Sequence, residues 1–350
     1  MTAPPDSRPG ITGGSAPAGA ADRLSLGPAD LLDAADLKTV GEAARWAPSI
    51  HNSQPWRLRR LVDGIGVVDD ISRSVPVIDP TGRDRTISCG SALFNAAVAL
   101  RALGYATRST LVPDPADPAL VGTVHAVGRT GPADQDVVLH RMIPLRHTHR
   151  RVYRSHLVAE EDLLDLRQAV AAEGARLSVA EPSARKRLAQ LLRMAVQAQS
   201  EDPELREEVE RWVRRGGHPA SLVDGIPSSA LGTSPFPVDS LVHGGTRGIP
   251  GADEVEAELA RSTVLVVSTR EDNRHDWVIA GLALERLLLT ATAKGLVATF
   301  AEQALQNPTV RPQVAEVLDI WGHPQVLLRV GRPLVDAPVT PRRPLTELFE

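Results

Sequence analysis

The sequence predicts an α+β chain in which one folding unit occurs twice. Three observations predict it. The segments Gly90-Ser-Ala-Leu-Phe-Asn-Ala-Ala-Val-Ala-Leu-Arg-Ala-Leu-Gly104 and Gly281-Leu-Ala-Leu-Glu-Arg-Leu-Leu-Leu-Thr-Ala-Thr-Ala-Lys-Gly295 share both glycines at one spacing, with Ala-Leu at the same offset. An apolar, β-branched run precedes each, Gly64–Val68 and Thr263–Val267. Each is followed by a stretch closing on the same tripeptide, Val127-Gly128-Arg129 and Val330-Gly331-Arg332. Self-similarity of this kind marks a duplicated architecture.

The elements follow in order. Residues 1–22 are rich in Pro, Gly, Ala and Ser, carry no apolar core, and read as a disordered tail. The first unit spans 23–131. A helix from about Thr39 to Arg45 is stopped by Pro48, which disfavours helical geometry in the residue before it. Gly64–Val68 reads as a strand. The stretch 90–104 has apolar residues at helical spacing and closes on a glycine cap, so it reads as a largely buried helix. The second unit spans 138–346 and repeats that order, with an insertion at about 198–255. The insertion opens on a charged helix, Pro203 to Arg214, whose pattern reads as a solvated face. It continues as a Gly/Pro/Ser-rich loop with turn signals at Gly216-Gly217-His-Pro219 and Asp224-Gly225-Ile-Pro227. Leu222, Ile226, Leu231 and Phe236 are apolar residues on that loop. As single surface residues they need no role; as anchors packed over a site they make the insertion a lid.

Composition excludes several classes. The chain has 350 residues, 42% hydrophobic and 23% charged, and can bury a core without staples. A formal charge of −4 gives no basic excess to hold nucleic acid or an anionic membrane. The single cysteine, Cys89, excludes an internal disulfide framework and any Cys-rich metal site, and its place on the buried helix makes it core. No run reaches the ~20 apolar residues of a membrane span, and the expected location is the cytoplasm. No G-x-G-x-x-G follows a strand, and Walker A, H-E-x-x-H and G-x-S-x-G are absent.

Three segments can carry chemistry. In Ala47-Pro-Ser-Ile-His-Asn-Ser-Gln-Pro-Trp56, Asn52 and Gln54 offer both donors and acceptors, which suit the alternating O2, N3–H, O4 edge of a flavin ring. The same segment also reads as a helix-stopping turn whose Trp56 packs in the core. In Arg146-His-Thr-His-Arg150, residues 146, 148 and 150 share one face if the chain is extended. Two guanidinium forks and a hydroxyl then form a phosphate cradle; the alternative is a solvated basic stretch. His147 and His149 have no Cys, Asp or Glu within a few residues to complete a metal site. Near the C-terminus, prolines 338, 341 and 344 hold Arg342 and Arg343 on an extended arm, either completing a phosphate site or exposed.

Together these segments resemble the nitroreductase family of FMN flavoproteins, whose pattern joins Arg-x-Ser/Thr-x-Arg/Lys, Ala-Pro-Ser-x-x-Asn-x-Gln-Pro-Trp and Gly-x-Pro…Arg-Arg elements. Here they stand as Arg146-His-Thr148-His-Arg150, Ala47–Trp56, and Gly331-Arg-Pro333 with Pro341-Arg342-Arg343. The resemblance covers about 25–345 outside the insertion. The order departs from an ordinary member: the Pro-Ser-x-x-Asn loop is in the first unit and the arginines are in the second. The resemblance therefore implies two nitroreductase-like half-folds, each a mixed sheet with flanking helices, fused as a pseudo-two-fold dimer with one complete FMN site. It is similar to the lidded, fused branch typified by Acg-like proteins.

Several roles are implied in turn. Arg146, Thr148, Arg150, Arg342 and Arg343 would hold the phosphate, and His147 between them would belong to the cofactor site. Pro48, Ser49, Ile50 and Asn52 would meet the ring and ribityl chain. Phe300, Ala301, Glu302 and Gln303 match the loop whose backbone amide faces flavin N5. The implied activity is transfer of electrons from NAD(P)H through FMN to a nitroaromatic, quinone or similar acceptor. No side chain acts as nucleophile and no metal is required, and the fused chain is expected to be a monomer. The alternative is an FMN storage or sequestration protein with little reductase activity.

Overall fold

The computed structural model describes residues 32–112, 114–216, 222–231, 248–336 and 339–350. The expected tail 1–22, the start of the first unit, and Gly217, Pro219 and Phe236 of the insertion lie outside the described residues. The first half contains α1 (Ala34–Arg45), β1 (Trp56–Arg60), β2 (Gly64–Asp69), α2 (Arg83–Ala102), β3 (Tyr105–Leu111), β4 (Leu120–Arg129) and α3 (Asp134–Met142). The second begins with α4 (Glu160–Ala171), β5 (Arg176–Val179), α5 (Arg185–Glu201), α6 (Pro203–Trp212), β6 (Val213–Arg214) and β7 (Ile226–Pro227). It continues with α7 (Ala252–Ala260), β8 (Thr263–Thr269), α8 (Arg274–Ala293), β9 (Val297–Phe300), α9 (Gln303–Gln306), α10 (Arg311–Val317) and β10 (His323–Gly331).

The two helices that mark the repeat, α2 and α8, pack on each other at the centre. Both start seven residues before the expected helices, because their first turns carry charged residues that periodicity does not reach. They end as expected, with Gly104 (φ +87) and Gly295 (φ +69) just past the last turn. Gly90 and Gly281 set their approach. A Cβ on Gly90 would stand 2.6 Å from the Val278 carbonyl oxygen, and one on Gly281 2.2 Å from that of Ile87. Ser91 Oγ donates across the contact to the Gly281 carbonyl at 3.0 Å. The glycines that repeat in sequence are thus the ones at which two backbones touch.

A four-stranded sheet flanks each helix. The strand orders are β1-β2-β4-β3 and β5-β8-β10-β9, so equivalent strands occupy equivalent places. β2 and β3 both run antiparallel to β4 and are therefore parallel to each other, which requires the crossover that α2 supplies. β8, α8, β9 and β10 repeat this arrangement. The expected mixed sheets are corrected here. All pairings within both four-stranded sheets are antiparallel, and parallel pairing at their edges is limited to the single bridges Leu58–Phe349 and Thr148–Ala298.

Core boundaries differ from sequence boundaries. Leu139 and Ile143, at and beyond the expected start of the second unit, pack in the first core with Leu58, Val67 and Leu93. The C-terminal arm returns to the same core: Leu58 N–H donates to the Leu348 carbonyl at 2.7 Å, Glu350 N–H donates to that of Leu58 at 3.1 Å, and Leu348 is fully buried. Helix α6 is not a solvated rod. It buries Leu205 and Val209 with Val75, Ile78, Ile226 and Leu231, and Glu208 is buried on the same helix. Cys89 is fully buried with Sγ 3.2 Å from the Pro55 carbonyl, and burial pushes its thiol well up, as a core residue requires. Among the described residues no helix is long and apolar enough to cross a membrane.

Candidate functional site

The loop after α1 is held in an unfavourable conformation. His51, Asn52 and Gln54 have φ of +48, +57 and +50, a region that costs non-glycine residues about 1–3 kcal/mol each. Its surroundings impose that shape. Ser49 Oγ accepts from Gln54 N–H at 2.9 Å. From the C-terminal arm, the Arg343 backbone N–H donates to Gln54 Oε1 at 2.9 Å and its guanidinium reaches the Gln54 and Trp56 carbonyls, each at 3.3 Å. Arg73 Nε donates to the Ser53 carbonyl at 2.5 Å.

This scaffolding absorbs two side chains expected at a ligand. Asn52 Nδ2 donates to the carbonyls of Gly225 (2.9 Å) and Pro341 (3.0 Å), and its Oδ1 accepts from Arg342 at 3.0 Å. Gln54 Nε2 donates to the Val223 carbonyl at 2.9 Å. Both amides join the loop to the insertion and the arm, and neither lines the cavity that the loop borders. Trp56 is fully buried, as the turn-and-core reading has it.

That cavity is open at its mouth, and its atom-free space, about 1020 Å³, runs out into solvent. Pro48, Ser49, Ile50 and His51 form one wall, and Ile87 and Ser88 of α2 continue it. Thr148, Arg150, Phe300, Glu302 and Gln303 bring the second half to the opposite side. Val209, Ile226 and Leu231 of the insertion also line it. The insertion is tied to the first half: Glu208 accepts from the backbone N–H groups of Val77 (3.1 Å) and Ile78 (2.9 Å), and Asp224, also bonded to Arg214 within the insertion, pairs with Arg73.

The structure does not bring all the predicted residues to this cavity. Asn52, Arg146, His147, Ala301, Arg342 and Arg343 are not in its lining. The expected common face of residues 146, 148 and 150 assumes a straight strand, but only Thr148 makes a bridge, to Ala298. Arg146 and His147 border a second cavity instead. Arg146 Nη2 donates to the Trp46 carbonyl at 3.1 Å, and its Nε stands 3.7 Å from Glu285. Arg342 reaches the same carbonyl at 3.3 Å and lies over the Trp46 ring at 5.2 Å. Nε of both arginines is buried without a hydrogen-bond partner. Burial and the neighbouring Arg146 charge bring Arg342 down to about 9, while burial lifts Glu285 to about 7. Two buried guanidinium groups thus converge beside one weakly charged carboxyl, a setting that favours an added anion.

The far end of the cavity is acidic and amide-rich. Asp84, Glu302, Gln303, Gln306 and Gln325 meet there. Arg83 pairs with Asp84 at 2.7 Å, and Gln306 Nε2 donates to Asp84 Oδ2 at 2.8 Å. Burial, with Asp84 adding to it, pushes Glu302 up to about 8 and Asp79 up to about 6. Burial, aided by Arg150, brings His51 down to about 4, so its imidazole is neutral. Sequence reading missed His51, although it lies inside the motif, and the Glu302 side chain, since only its backbone was assigned. Asp84 and Ser88 sit on the first turns of α2, ahead of the repeat signal, and no local pattern singled them out.

No protein-family model matches the chain. It is 34% identical over 325 residues, 91% of this chain and 92% of the other, to the Mycobacterium tuberculosis protein named "Putative NAD(P)H nitroreductase Rv3131". It is 30% identical over 324 residues, 89% of this chain and 95% of the other, to "Putative NAD(P)H nitroreductase acg" of the same species. Among solved structures it is similar to the FMN-dependent nitroreductase NfnB of Mycobacterium smegmatis in complex with NADPH, at TM-score 0.40 and 18% identity over 62% of this chain and 99% of that one. A nitroreductase with bound FMN from Bacteroides fragilis gives a TM-score of 0.36 at 15% identity, over 57% of this chain and 93% of that one. Relatives of this identity match the chain across almost its whole length: the protein belongs to the nitroreductase family.

Proposed function

We propose that the protein is an FMN-dependent oxidoreductase that draws a hydride from NAD(P)H and passes electrons to a nitroaromatic, quinone or similar acceptor. One observation carries the reading: a cavity lies between the strained loop 48–51 of the first half and residues 148, 150, 299, 300, 302 and 303 of the second. The residues present fit FMN. Ile50, Ile87, Leu284 and Phe300 supply apolar surface for a planar ring, and Gln303 Oε1 is buried there without a partner. Thr148 and Arg150 in the lining suit the phosphate. Bound there, the flavin supplies the redox chemistry, and the chain supplies binding, orientation and exclusion of water. Asn52, Gln54 and Arg343 act by holding the loop that meets the ring.

The matching strand orders and the Gly90/Gly281 contact support reading the chain as a fused dimer. Each FMN site of a homodimer uses elements from two chains; here both sets belong to one. The expected stoichiometry is one FMN per chain in a monomer. Reconstitution followed by flavin absorbance, sizing and steady-state NAD(P)H oxidation tests this. Two FMN per chain, or an obligate dimer that loses flavin on dissociation, refutes the fusion; a chain that takes up no FMN refutes the function.

A second reading has its own support. Val209, Ile226 and Leu231 cover the cavity that nicotinamide must enter. A cover that stays closed would make the protein an FMN store. Flavin that binds but is not reduced by NADPH or NADH selects this reading over the first.

A further inference from the structure

The acidic end of the cavity contains a carboxyl group to which the reading above gives no role. Glu302 stands there, directly after β9. Its Oε1 accepts from Leu327 N–H at 2.8 Å, which fixes the carboxyl group. Its Oε2 is buried without a hydrogen-bond partner. The Arg83 guanidinium is 3.8 Å away, too far to hydrogen-bond, and is already engaged by Asp84 Oδ1 at 2.7 and 3.0 Å and by the Leu305 carbonyl at 3.2 Å. The other groups facing this corner are accounted for. Asp84, from α2, takes Arg83 and Gln306; Asp79 lies behind it and accepts from Arg85 N–H at 2.9 Å. Arg311, from the start of α10, pairs with Asp272 at 2.7 Å. His51 and Arg150 belong to the remaining wall.

We propose that Glu302 is the proton donor of this site: Oε2 holds a proton on the cavity side and delivers it to the acceptor as that molecule takes up a hydride equivalent. The inference rests on the oxidoreductase reading above. A nitro compound R–NO2 that gains one hydride and one proton loses one N–O bond and yields R–NO and water; a quinone with the same hydride and proton yields the hydroquinone. NAD(P)H is oxidised to NAD(P)+ as the source of the hydride. Glu302 gives the proton, is left as carboxylate, and is reprotonated from solvent. Its carboxyl is protonated at neutral pH because burial and Asp84 together outweigh Arg83 and Arg311. Asp84 cannot take this role, since both its oxygens already accept from Arg83 or Gln306. The acceptor class follows: an uncharged molecule that must be protonated on reduction.

The test compares the parent with Glu302→Gln, whose Oε1 can still accept from Leu327. Each FMN-loaded protein is given NADPH and either menadione, whose reduction needs a proton, or ferricyanide, whose reduction does not. The ratio of menadione to ferricyanide turnover falls about 100-fold in the variant, the usual scale of general-acid catalysis. In the parent, kcat/KM for menadione declines above a pH of about 8, and this inflection is absent in the variant. A readout free of turnover is difference infrared on the flavin-free chain: a carboxylic C=O band disappears near pH 8 in the parent and is missing from Glu302→Gln. Asp84→Asn, which removes the anion that raises Glu302, moves that band's titration to lower pH. An unchanged ratio and pH profile in Glu302→Gln, or no carboxylic band titrating there, overturns the proposal while leaving the oxidoreductase reading intact. A chain whose flavin is never reduced by NADPH overturns that reading, and the proton donor with it.

Discussion

Gly281→Ala is the sharpest perturbation of this architecture. The new Cβ would lie 2.2 Å from the Ile87 carbonyl oxygen and 2.8 Å from Gly90 Cα, whereas ordinary contact begins at 3.4 Å. Both obstacles are backbone of a buried helix, so no side chain can swing aside, and α2 and α8 must separate by about 1 Å. Overpacking costs about 1–3 kcal/mol. A gap of 0.5–1 Å forfeits roughly a quarter to a half of each lost dispersion contact, at ~0.1–0.2 kcal/mol per atom pair over tens of pairs. Alanine's helix propensity returns about 1 kcal/mol. The expected net loss is ~2–4 kcal/mol, read as a lower urea midpoint at an unchanged slope. Gly174→Ala is the control: its only neighbour is Ile279 Cγ2 at 4.0 Å, so it carries just the strain of φ +83. The cavity wall includes Ile87 and Leu284 from these helices, so FMN affinity falls together with stability. A Gly281→Ala protein no less stable than Gly174→Ala would refute the close-contact argument.

Other expectations separate the roles assigned above. Arg150→Ala weakens FMN by about one to two orders of magnitude, since hydrogen bonds to charged groups contribute roughly 1.5–3 kcal/mol, and leaves riboflavin affinity nearly unchanged. Arg343→Ala, which frees the Gln54 and Trp56 carbonyls, lowers FMN and riboflavin affinity alike; a phosphate-selective loss in titrations with both flavins contradicts that assignment. Glu208→Ala detaches the cover from Val77 and Ile78, so anaerobic bleaching of bound flavin by NADPH speeds up; equal rates in stopped flow remove support for a gating cover. Glu285 binds its proton more tightly when folded, at about 7. Its contribution to stability is therefore present below the ordinary carboxylate range and lost as pH rises through 7. Glu285→Gln flattens that decline in urea midpoints measured from pH 5 to 8, and an unaltered slope would show that this carboxyl does not titrate there.

The local decisions of this fold were written in sequence. The repeated glycines, the apolar runs and the closing tripeptides placed α2, α8, β2, β8, β4 and β10, because helix caps and strand runs depend on residues a few positions apart. The Pro48-Ser49-Ile50 segment was singled out through its family motif, and these residues line the cavity. Tertiary structure decided everything that depends on where distant chain segments meet. Alternation along residues 146–150 could not show that Arg146 borders one cavity while Thr148 and Arg150 line another. The motif Asn52 could not reveal that Gly225, Pro341 and Arg342, far along the chain, take up its amide. Nor does the sequence around Glu302 contain the burial and the Asp84 charge that keep its proton in place. Hydrogen-bond partners and desolvation are properties of the packed surroundings, and the residues that supply them here lie up to 296 positions away.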